Sequence, residues 1–573
     1  MRWLDWVVVV TYLVWIVTSG LRASRRTNEI DGYFRANRSL PWWAVGLSVM
    51  ATQLSAITLV GTTGKAYADG MKFVQFYFGL PIAMVILSMT VVPFFYRANV
   101  YTAYEYLERR FDLKTRTLAA FTFLIQRALS CGIIIAAPSI ILSIVLGWPF
   151  GVTILVIGLP VIAYTMVGGV QAVTWTDVKQ MGIVIFAMTS VVVVLIIGLP
   201  VSTSDALHVA GAVGRLQAID TSLDLHTDYT LWSGLIGSLF LMLSYFGCDQ
   251  SQVQRYLTAK SVDSARHSLL VSAFAKIPLQ AGILLTGVLT FCFFLFNKNP
   301  MLFNPVYERT VLASQRAGEY RALETEFDQQ FEVRAAAAKG LAATQSDPSS
   351  PAYATAREAF RSAQTEIAAV RSKAVTLVRE VTGDKTYTDT NYVFPTFILS
   401  YMPIGLMGLM IAAILSAAMS ASSGELNALA TATAIDVYRR HINPTAPDAA
   451  FLRFSKMSTA FWGLFACVAA YYSANLGSLI DTVNKIGSLF YGSILGVFIL
   501  ALGVKPANGH GAFFGLIAGL VSVFIVSFHP ETKTISYLWH NVIGAVVCVV
   551  VGTVISLATG SRGAAPAPTQ PTR

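Results

Sequence analysis

The sequence predicts an all-α polytopic membrane protein with about thirteen transmembrane helices. Of its 573 residues, 55% are hydrophobic and only 13% are charged, whereas soluble domains carry about 25% charged residues. Apolar runs long enough to cross a hydrocarbon core of about 30 Å recur from the first residues almost to the last. These runs are continuous rather than alternating, which excludes an outer-membrane barrel.

Each run is expected to be a helix, because a helix satisfies its own backbone polar groups in lipid and an open strand does not. The first run is expected to be a membrane helix of the mature protein rather than a cleaved signal peptide. Its positive charges follow the apolar stretch, and no small-residue cleavage pattern is present. The predicted helices begin near Leu4, Trp42, Phe73, Leu118, Phe150, Val178, Leu231, Leu269, Val393, Phe451, Leu479, Gly511 and Tyr537.

The loop charges predict that the amino terminus lies outside the cell membrane and the carboxyl terminus in the cytoplasm. The predicted inner loops carry most of the arginine and lysine residues, whereas the outer loops are acidic or poor in charge. The net charge of +10 then reflects attraction to anionic lipid, and no nucleic-acid module is visible. The expected partners are the lipid bilayer and a small-molecule substrate, with the chain a monomer or a weak homodimer.

A polar stretch, residues 297–392, interrupts the apolar pattern on the predicted outer side. It divides near Asp347 and Pro351 into two helical halves rich in Ala, Glu, Gln and Arg. This composition predicts an antiparallel helical hairpin outside the membrane. A solvated spacer is favoured there over a dedicated partner-binding arm, because no residue cluster in it suggests chemistry.

Three motifs place polar side chains within or at the ends of predicted membrane helices, where burial of polar groups in lipid is energetically unfavourable. Residues 248–260 read CDQSQVQRYLTAK, at the predicted inner end of a membrane helix. Residues 168–180 read GGVQAVTWTDVKQ, in which two glycines permit a tight turn before Asp177 enters the next helix. An intramembrane carboxylate is by default a functional hypothesis, although an acid at a helix start also interacts favourably with the dipole. Residues 417–427 read AAMSASSGELN and are followed by Asp436-Val437-Tyr438.

The three motifs, in their order along the chain, resemble those of the solute:sodium symporter family, in particular its sodium/glucose cotransporter-like branch. The resemblance covers residues 31–519 apart from the polar insert. It implies a core of five-plus-five inverted-repeat helices, as in the amino-acid/sodium symporter fold, and alternating access around a site in mid-membrane. The function implied is secondary active transport, in which a cation, Na⁺, is the coupling ion for symport of a small polar organic solute.

The resemblance also implies a sodium site between the second and ninth helices. Its ligands would be the carbonyls of Ala51, Leu54 and Ala417 and the hydroxyl of Ser420, and Asp177 would take part in cation release. The family's usual second hydroxyl falls on Ala421. Either Ser422 or Ser423 compensates, or the site binds weakly, so the coupling ion is left open between Na⁺ and H⁺.

For the substrate, the resemblance points to Gln53, Tyr245, Phe246, Lys276 and Asn484. Several sugar-contacting residues of the glucose branch are absent, and Lys276 could instead pair with an anionic substrate or with Glu425. A sugar or polyol and an organic anion therefore remain equally open.

The inner gate is expected at Asp249 and Gln250, where Cys248 stands in place of the family's Thr. A transporter-like sensor is the alternative function, and the short segment after Ser561 argues against a fused signalling module. An enzyme is not expected, since no nucleophile–base pair or metal cluster is visible. The predicted divisions are the first helix with its inner loop (1–41), the first repeat and the start of the second (42–296), the insert (297–392), the rest of the second repeat (393–503), two C-terminal helices (504–560) and a disordered tail (561–573).

Overall fold

A computed structural model describes residues 2–23, 29–473 and 479–560. The predicted tail, residues 561–573, lies outside the described residues. Helices are the only regular elements of the described residues, whose only strand-like pairing is an isolated bridge between Leu40 and Ala259. The helices are α1 (Trp3–Ala23), α2 (Ile30–Arg35), α3 (Trp42–Gln53), α4 (Thr63–Asp69), α5 (Gly79–Met89), α6 (Val91–Ala98), α7 (Ala103–Arg110), α8 (Leu113–Leu146), α9 (Phe150–Ile197), α10 (Thr203–Ala212), α11 (Ser238–Gly247), α12 (Gln250–Tyr256), α13 (Val262–Phe296), α14 (Pro305–Leu312), α15 (Ala317–Ala343), α16 (Pro351–Thr382), α17 (Val393–Tyr401), α18 (Leu406–Ala432), α19 (Asp448–Tyr472), α20 (Leu479–Gly503), α21 (Gly509–Phe528) and α22 (Tyr537–Ala558).

Nine helical segments of the described chain are long and apolar enough to cross a membrane. The remaining predicted crossings are present as helices that are broken, merged, short or more polar. They are α3, which is the first half of the interrupted helix that continues into α4, the second half of α9, the helix that ends in α11, and α19. The all-helical membrane fold is confirmed.

The second predicted crossing is broken in the middle. Helix α3 ends at Gln53, the chain is not helical at Leu54 and Ser55, and it continues through a π-helical segment, Thr58–Thr62, into α4. The Leu54 amide donates to the Ala51 carbonyl at 3.0 Å, which is a tightened last turn. Backbone carbonyls are therefore available at the break, inside the protein.

The long helix α9 is two crossings joined by a sharp turn at Gly169. This residue has φ +53°, a left-handed conformation that glycine adopts without strain. A Cβ atom here would lie 2.4 Å from the Tyr33 carbonyl oxygen, so the close approach of α2 also requires glycine. The turn aims the next segment, which starts near Asp177, into the helix bundle.

Helix α18 lies at the centre of the bundle and is buried along almost its whole length. It packs against α1, α3, α8, α9 and α19. At its start, the buried carboxylate of Asp5 in α1 accepts hydrogen bonds from the amides of Gly405 at 2.7 Å and Gly408 at 3.0 Å. These bonds satisfy amides that a helix start leaves without intrahelical partners.

The polar insert forms two long helices, α15 and α16, that pack against each other. Their contact is a small apolar core of its own, which includes Tyr320, Phe327, Phe331, Ile367 and Leu377. Helix α15 also packs against α10 and α13, so the hairpin rests on the helix bundle rather than standing free of it.

Candidate functional site

A buried carboxylate joins four helices near the centre of the bundle. Asp177 of α9 accepts hydrogen bonds from the hydroxyls of Ser48 in α3 and Ser420 in α18, each at 2.6 Å. Arg255 of α12 forms an ion pair with the same carboxylate at 3.0 Å. The three motifs singled out in the sequence therefore meet here, with two of the predicted ligands, Asp177 and Ser420, in direct contact.

Helix α18 approaches the broken helix one turn beyond Ser420. A Cβ atom on Gly424 would lie 3.2 Å from the Thr52 side chain and closer still to Nη2 of Arg255, so glycine leaves room here for the Arg255 guanidinium beside the last turn of α3. The Ser423 hydroxyl donates to the Ser420 carbonyl at 3.0 Å, and Ser423 shares a helix face with Ser420 because they are three residues apart. Ser422 does not share that face.

The donors in this region suit a hard monovalent cation. Hydroxyl, carboxylate and backbone carbonyl oxygens, including those at a break in a membrane helix, are ligands that Na⁺ uses in secondary transporters with discontinuous helices. The predicted carbonyl ligands Ala51 and Leu54 lie at the break, and Ala417 lies one turn before Ser420. Within the described ranges no cluster of His, Cys, Asp and Glu could hold a metal ion, so a multi-carboxylate divalent site is not present there.

A cavity of about 110 Å³ adjoins the break. Three of the predicted substrate residues, Gln53, Tyr245 and Asn484, line it. Hydroxyl groups of Ser55, Thr58 and Ser130 and aromatic rings of Phe76, Tyr77 and Tyr491 complete much of the wall. Polar groups set among aromatic rings are typical of a site for a small solute.

Arg127 of α8 is the single cation among the described residues of the cavity wall. Its Nη1 donates to Glu425 of α18 at 2.6 Å, and its Nη2 contacts the carboxylate of Asp249 and the Tyr491 hydroxyl, the latter at 2.7 Å. The side chains of Arg127, Glu425 and Asp249 are at most 3% exposed. One guanidinium thus holds two buried carboxylates from different helices.

The predicted gate residues tie α12 to its neighbours. Asp249 caps α12 through the Ser251 amide at 2.9 Å while its other oxygen contacts Arg127. The Gln250 side chain accepts from the Ala103 amide at 3.1 Å and donates to the Tyr101 carbonyl at 2.8 Å. These contacts join α12 to α7 and α8.

Two predicted substrate residues lie outside the cavity lining. Phe246 is fully buried and packs edge-on against Tyr245, with ring centroids 5.0 Å apart. Lys276 is also fully buried, and its Nζ lies 5.7 Å from the centre of the Tyr77 ring, behind the cavity wall. Its expected partner Glu425 is bonded to Arg127 instead, and Lys276 Nζ has no hydrogen-bond partner within the described part of the chain.

Comparison with known proteins decides the family. Residues 33–320 and 367–519 match the sodium:solute symporter family, and the gap between these ranges falls in the hairpin. The chain belongs to the sodium:solute symporter family. It is 26% identical to the sodium/sialic acid symporter of Aliivibrio fischeri over 96% of this chain and 92% of that protein. It is 25% identical to the sodium/glucose cotransporter of Vibrio parahaemolyticus, over 92% of this chain and 86% of that protein.

A solved structure has the same fold. It is the substrate-bound, outward-open state of a Na⁺-coupled sialic acid symporter, with a TM-score of 0.74, 24% sequence identity and coverage of 97% of this chain and 98% of that one. The present symporter is thus a multi-pass membrane protein that couples transport of a small molecule to sodium, and it is not an enzyme. The expected family and transport class are confirmed.

The sequence motifs of this symporter do not point to Arg127 or to its bond with Glu425. Both residues are charged side chains within long apolar helices, and such residues are rare in membranes and mark functional sites. Arg127 lies in the apolar run from Leu113 to Leu146, so its position alone is the signal that could have found it.

Proposed function

We propose that this symporter uses sodium to import a small organic anion, whose carboxylate binds Arg127 in the cavity beside the broken helix, hereafter the central cavity. The observation that carries the proposal is the guanidinium group in the cavity wall. Arginine presents a planar fork of donors that matches a carboxylate. A relative named for sialic acid transport shows that anionic solutes occur in the family.

Anion binding would require Arg127 to exchange partners. In the described structure its guanidinium contacts Glu425 and Asp249, and a cavity of about 110 Å³ is below the range of about 300–1,000 Å³ usual for ligand pockets. We infer that the substrate carboxylate replaces Glu425 on Arg127 as the cavity opens. The Glu425 Oε2 atom has no partner among the described residues, so Glu425 is held by one oxygen only.

A neutral sugar or polyol is the second candidate. Arg127 is already neutralised by two carboxylates, and the amides of Gln53 and Asn484 offer both donors and acceptors. In that case Glu425 itself would accept a hydrogen bond from a substrate hydroxyl, and its removal would weaken substrate binding.

Glu425→Gln separates these two candidates. With protein reconstituted in proteoliposomes, a sodium gradient should drive uptake of an anion found by screening carboxylates and sugars. Glu425→Gln removes the charge that competes for Arg127, so the anion concentration for half-maximal uptake should fall by about tenfold. This factor corresponds to a charge-assisted hydrogen bond of about 1.5 kcal/mol. Glu324→Gln, on the exposed face of the hairpin, is the matched control. A rise in half-saturation, or a screen that yields only sugars, would contradict the anion proposal.

We also propose that sodium binds between Ser420, Asp177 and the carbonyls of Ala51, Leu54 and Ala417. The convergence of Ser420 on Asp177 supports this ligand set. Ser423, on the same helix face, is the proposed substitute for the hydroxyl that Ala421 lacks. Replacement of sodium by choline at constant pH should abolish uptake, and undiminished uptake would indicate protons or no coupling.

The proposed orientation places the amino terminus outside and the carboxyl terminus in the cytoplasm, with Asp249 and Gln250 at the inner gate. The arginine- and lysine-rich loops support this orientation. We propose a monomer or a weak homodimer as the working unit. Labelling of single cysteines placed in the hairpin by a membrane-impermeant thiol reagent, in intact cells, should succeed if the hairpin is outside.

A further inference from the structure

A second cavity lies between the hairpin and the ends of the membrane helices. Its volume is about 330 Å³, which falls in the range of about 300–1,000 Å³ typical of small-ligand sites. One wall comes from α15 and α16 and the other from α4 and α13, with Tyr67 and Phe291 on the membrane-helix side. It is separate from the cavity that Arg127 lines.

Four arginines line this cavity: Arg215, Arg334, Arg371 and Arg379. Asp389 is the single carboxylate of its described wall, and it pairs with Arg371 at 2.6 Å. The cavity therefore carries an excess of three positive charges over its own wall carboxylates.

Two of these arginines form no ion pair within the described chain, and of the two only Arg215 has a carboxylate, Asp69, close enough to act on its charge. Arg334 is 4% exposed and donates to the Phe294 carbonyl at 2.7 Å, and its Nε has no partner among the described residues. Arg215 Nε is likewise unpartnered within the described ranges, and its guanidinium lies 4.9 Å from the centre of the Phe291 ring. Arg215 is half-buried, whereas Arg334 is buried, and burial of a charge without an ion pair is strongly unfavourable.

Burial and the nearby positive charge of Arg371 both disfavour the charged form of Arg334. Burial lowers the pKa of the guanidinium, and Arg371 lowers it further. A bound anion would offset these effects, because an opposite charge favours the charged form.

Two acceptors in the same wall indicate a ligand with hydroxyl groups. Asn299 Oδ1 and Gln364 Oε1 are buried and have no hydrogen-bond partner in the described chain. A bare inorganic anion would leave these oxygens unsatisfied, whereas a hydroxylated anion could donate to them. From these observations we propose that the cavity beneath the hairpin binds a hydroxylated organic anion.

The proposed ligand would bridge the hairpin and the outer part of the broken helix. Tyr67 and Ala68 of α4 line the cavity, and residue 390, at the end of the insert, lies so close to α4 that a Cβ atom on Gly64 would be 2.1 Å from the Thr390 carbonyl oxygen. The site is independent of the central cavity, so it does not depend on which solute the symporter carries.

Citrate, which carries carboxylates and a hydroxyl group, is a suitable probe. Its binding to the purified full-length protein in detergent can be followed by thermal denaturation at constant sodium concentration and ionic strength. We expect saturable stabilisation of the wild type by citrate, a weaker effect of inorganic phosphate, and none of glycerol at equal concentration. Arg334→Gln should raise the apparent dissociation constant for citrate by about tenfold or more, since it removes a charged donor.

Matched variants distinguish citrate binding in this cavity from non-specific attraction of citrate to the positively charged protein. Arg334→Lys should retain part of the citrate affinity, and Arg309→Gln, an exposed arginine of the same hairpin, should leave it unchanged. Arg215→Gln provides the same test if Arg334→Gln does not fold. Absence of saturable citrate binding to the wild type would overturn the proposal. So would a citrate response that Glu425→Gln alters while Arg334→Gln and Arg215→Gln do not, because such binding belongs to the central cavity.

Discussion

Removal of Arg127 should destabilise the protein far more than removal of its partner Glu425. Arg127 contacts two carboxylates, whereas Glu425 has one basic partner. Arg127→Gln therefore leaves both Glu425 and Asp249 buried without a counter-charge. Glu425→Gln leaves the pair of Arg127 with Asp249 intact, together with the bond to Tyr491 at 2.7 Å.

The buried contacts give the expected magnitudes. Breaking a buried ion pair by removing one partner costs about 3–5 kcal/mol, and Arg127→Gln should reach the upper end because two charges lose their partner. Glu425→Gln exchanges a charged hydrogen bond for a neutral one, a difference of about 1 kcal/mol. The double variant should be more stable than Arg127→Gln alone, since it removes one of the two unpaired carboxylates.

Thermal denaturation of the detergent-solubilised variants, followed by size-exclusion chromatography, measures this order. The expected ranking of denaturation temperatures is wild type, Glu425→Gln, the double variant and then Arg127→Gln, with Arg309→Gln, an exposed arginine, equal to wild type. Equal denaturation temperatures for Arg127→Gln and Glu425→Gln would refute the view that Arg127 holds both carboxylates.

Three further predictions concern sodium, Lys276 and the hairpin. Ser420→Ala should raise the sodium concentration for half-maximal uptake by about tenfold through loss of one ligand, without changing the amount of inserted protein; unaltered sodium dependence would remove Ser420 from the site. Lys276→Met should raise stability by about 1–3 kcal/mol, because Nζ is an unsatisfied buried group, and should change substrate half-saturation by less than about threefold; a large loss of affinity would place Lys276 in the pocket. Replacement of residues 309–385 by a short Gly/Ser linker should preserve sodium-driven uptake, and complete loss despite normal insertion would assign the hairpin a role in gating or assembly.

Much of the fold could be predicted because each element carries a local signal. Apolar runs give the membrane helices, and Gly168-Gly169 gives the sharp turn inside α9. The polar composition of the insert predicts two helices, and α15 and α16 fall on either side of the Asp347–Pro351 turn. The break at Leu54 carries no glycine or proline of its own, so no local signal in the sequence indicates it.

The site was harder to predict because its contacts depend on long-range packing. Asp177 and Ser420 are 243 residues apart, and Arg127 and Glu425 are 298 residues apart. The resemblance also points to Lys276 as a substrate residue, but a position along a helix does not say which side chains lie beside it. Here Lys276 Nζ lies 5.7 Å from the centre of the Tyr77 ring, and Lys276 is not part of the cavity lining.

Helix α18 connects the proposed sodium site to the proposed substrate site. Ser420 bonds to Asp177, and Glu425, little more than one turn later, bonds to Arg127 in the cavity wall. Between them, Gly424 leaves room for the guanidinium of Arg255, whose Nη2 would lie 2.3 Å from a Cβ atom at that position. A cation bound at Asp177 repels Arg255, and movement of Arg255 must be transmitted to this turn of α18 because the space is filled. Under the proposed sodium and anion sites, a shift of this turn would change the contact of Glu425 with Arg127, so we propose that sodium binding and release of the guanidinium for a substrate carboxylate are coupled through α18.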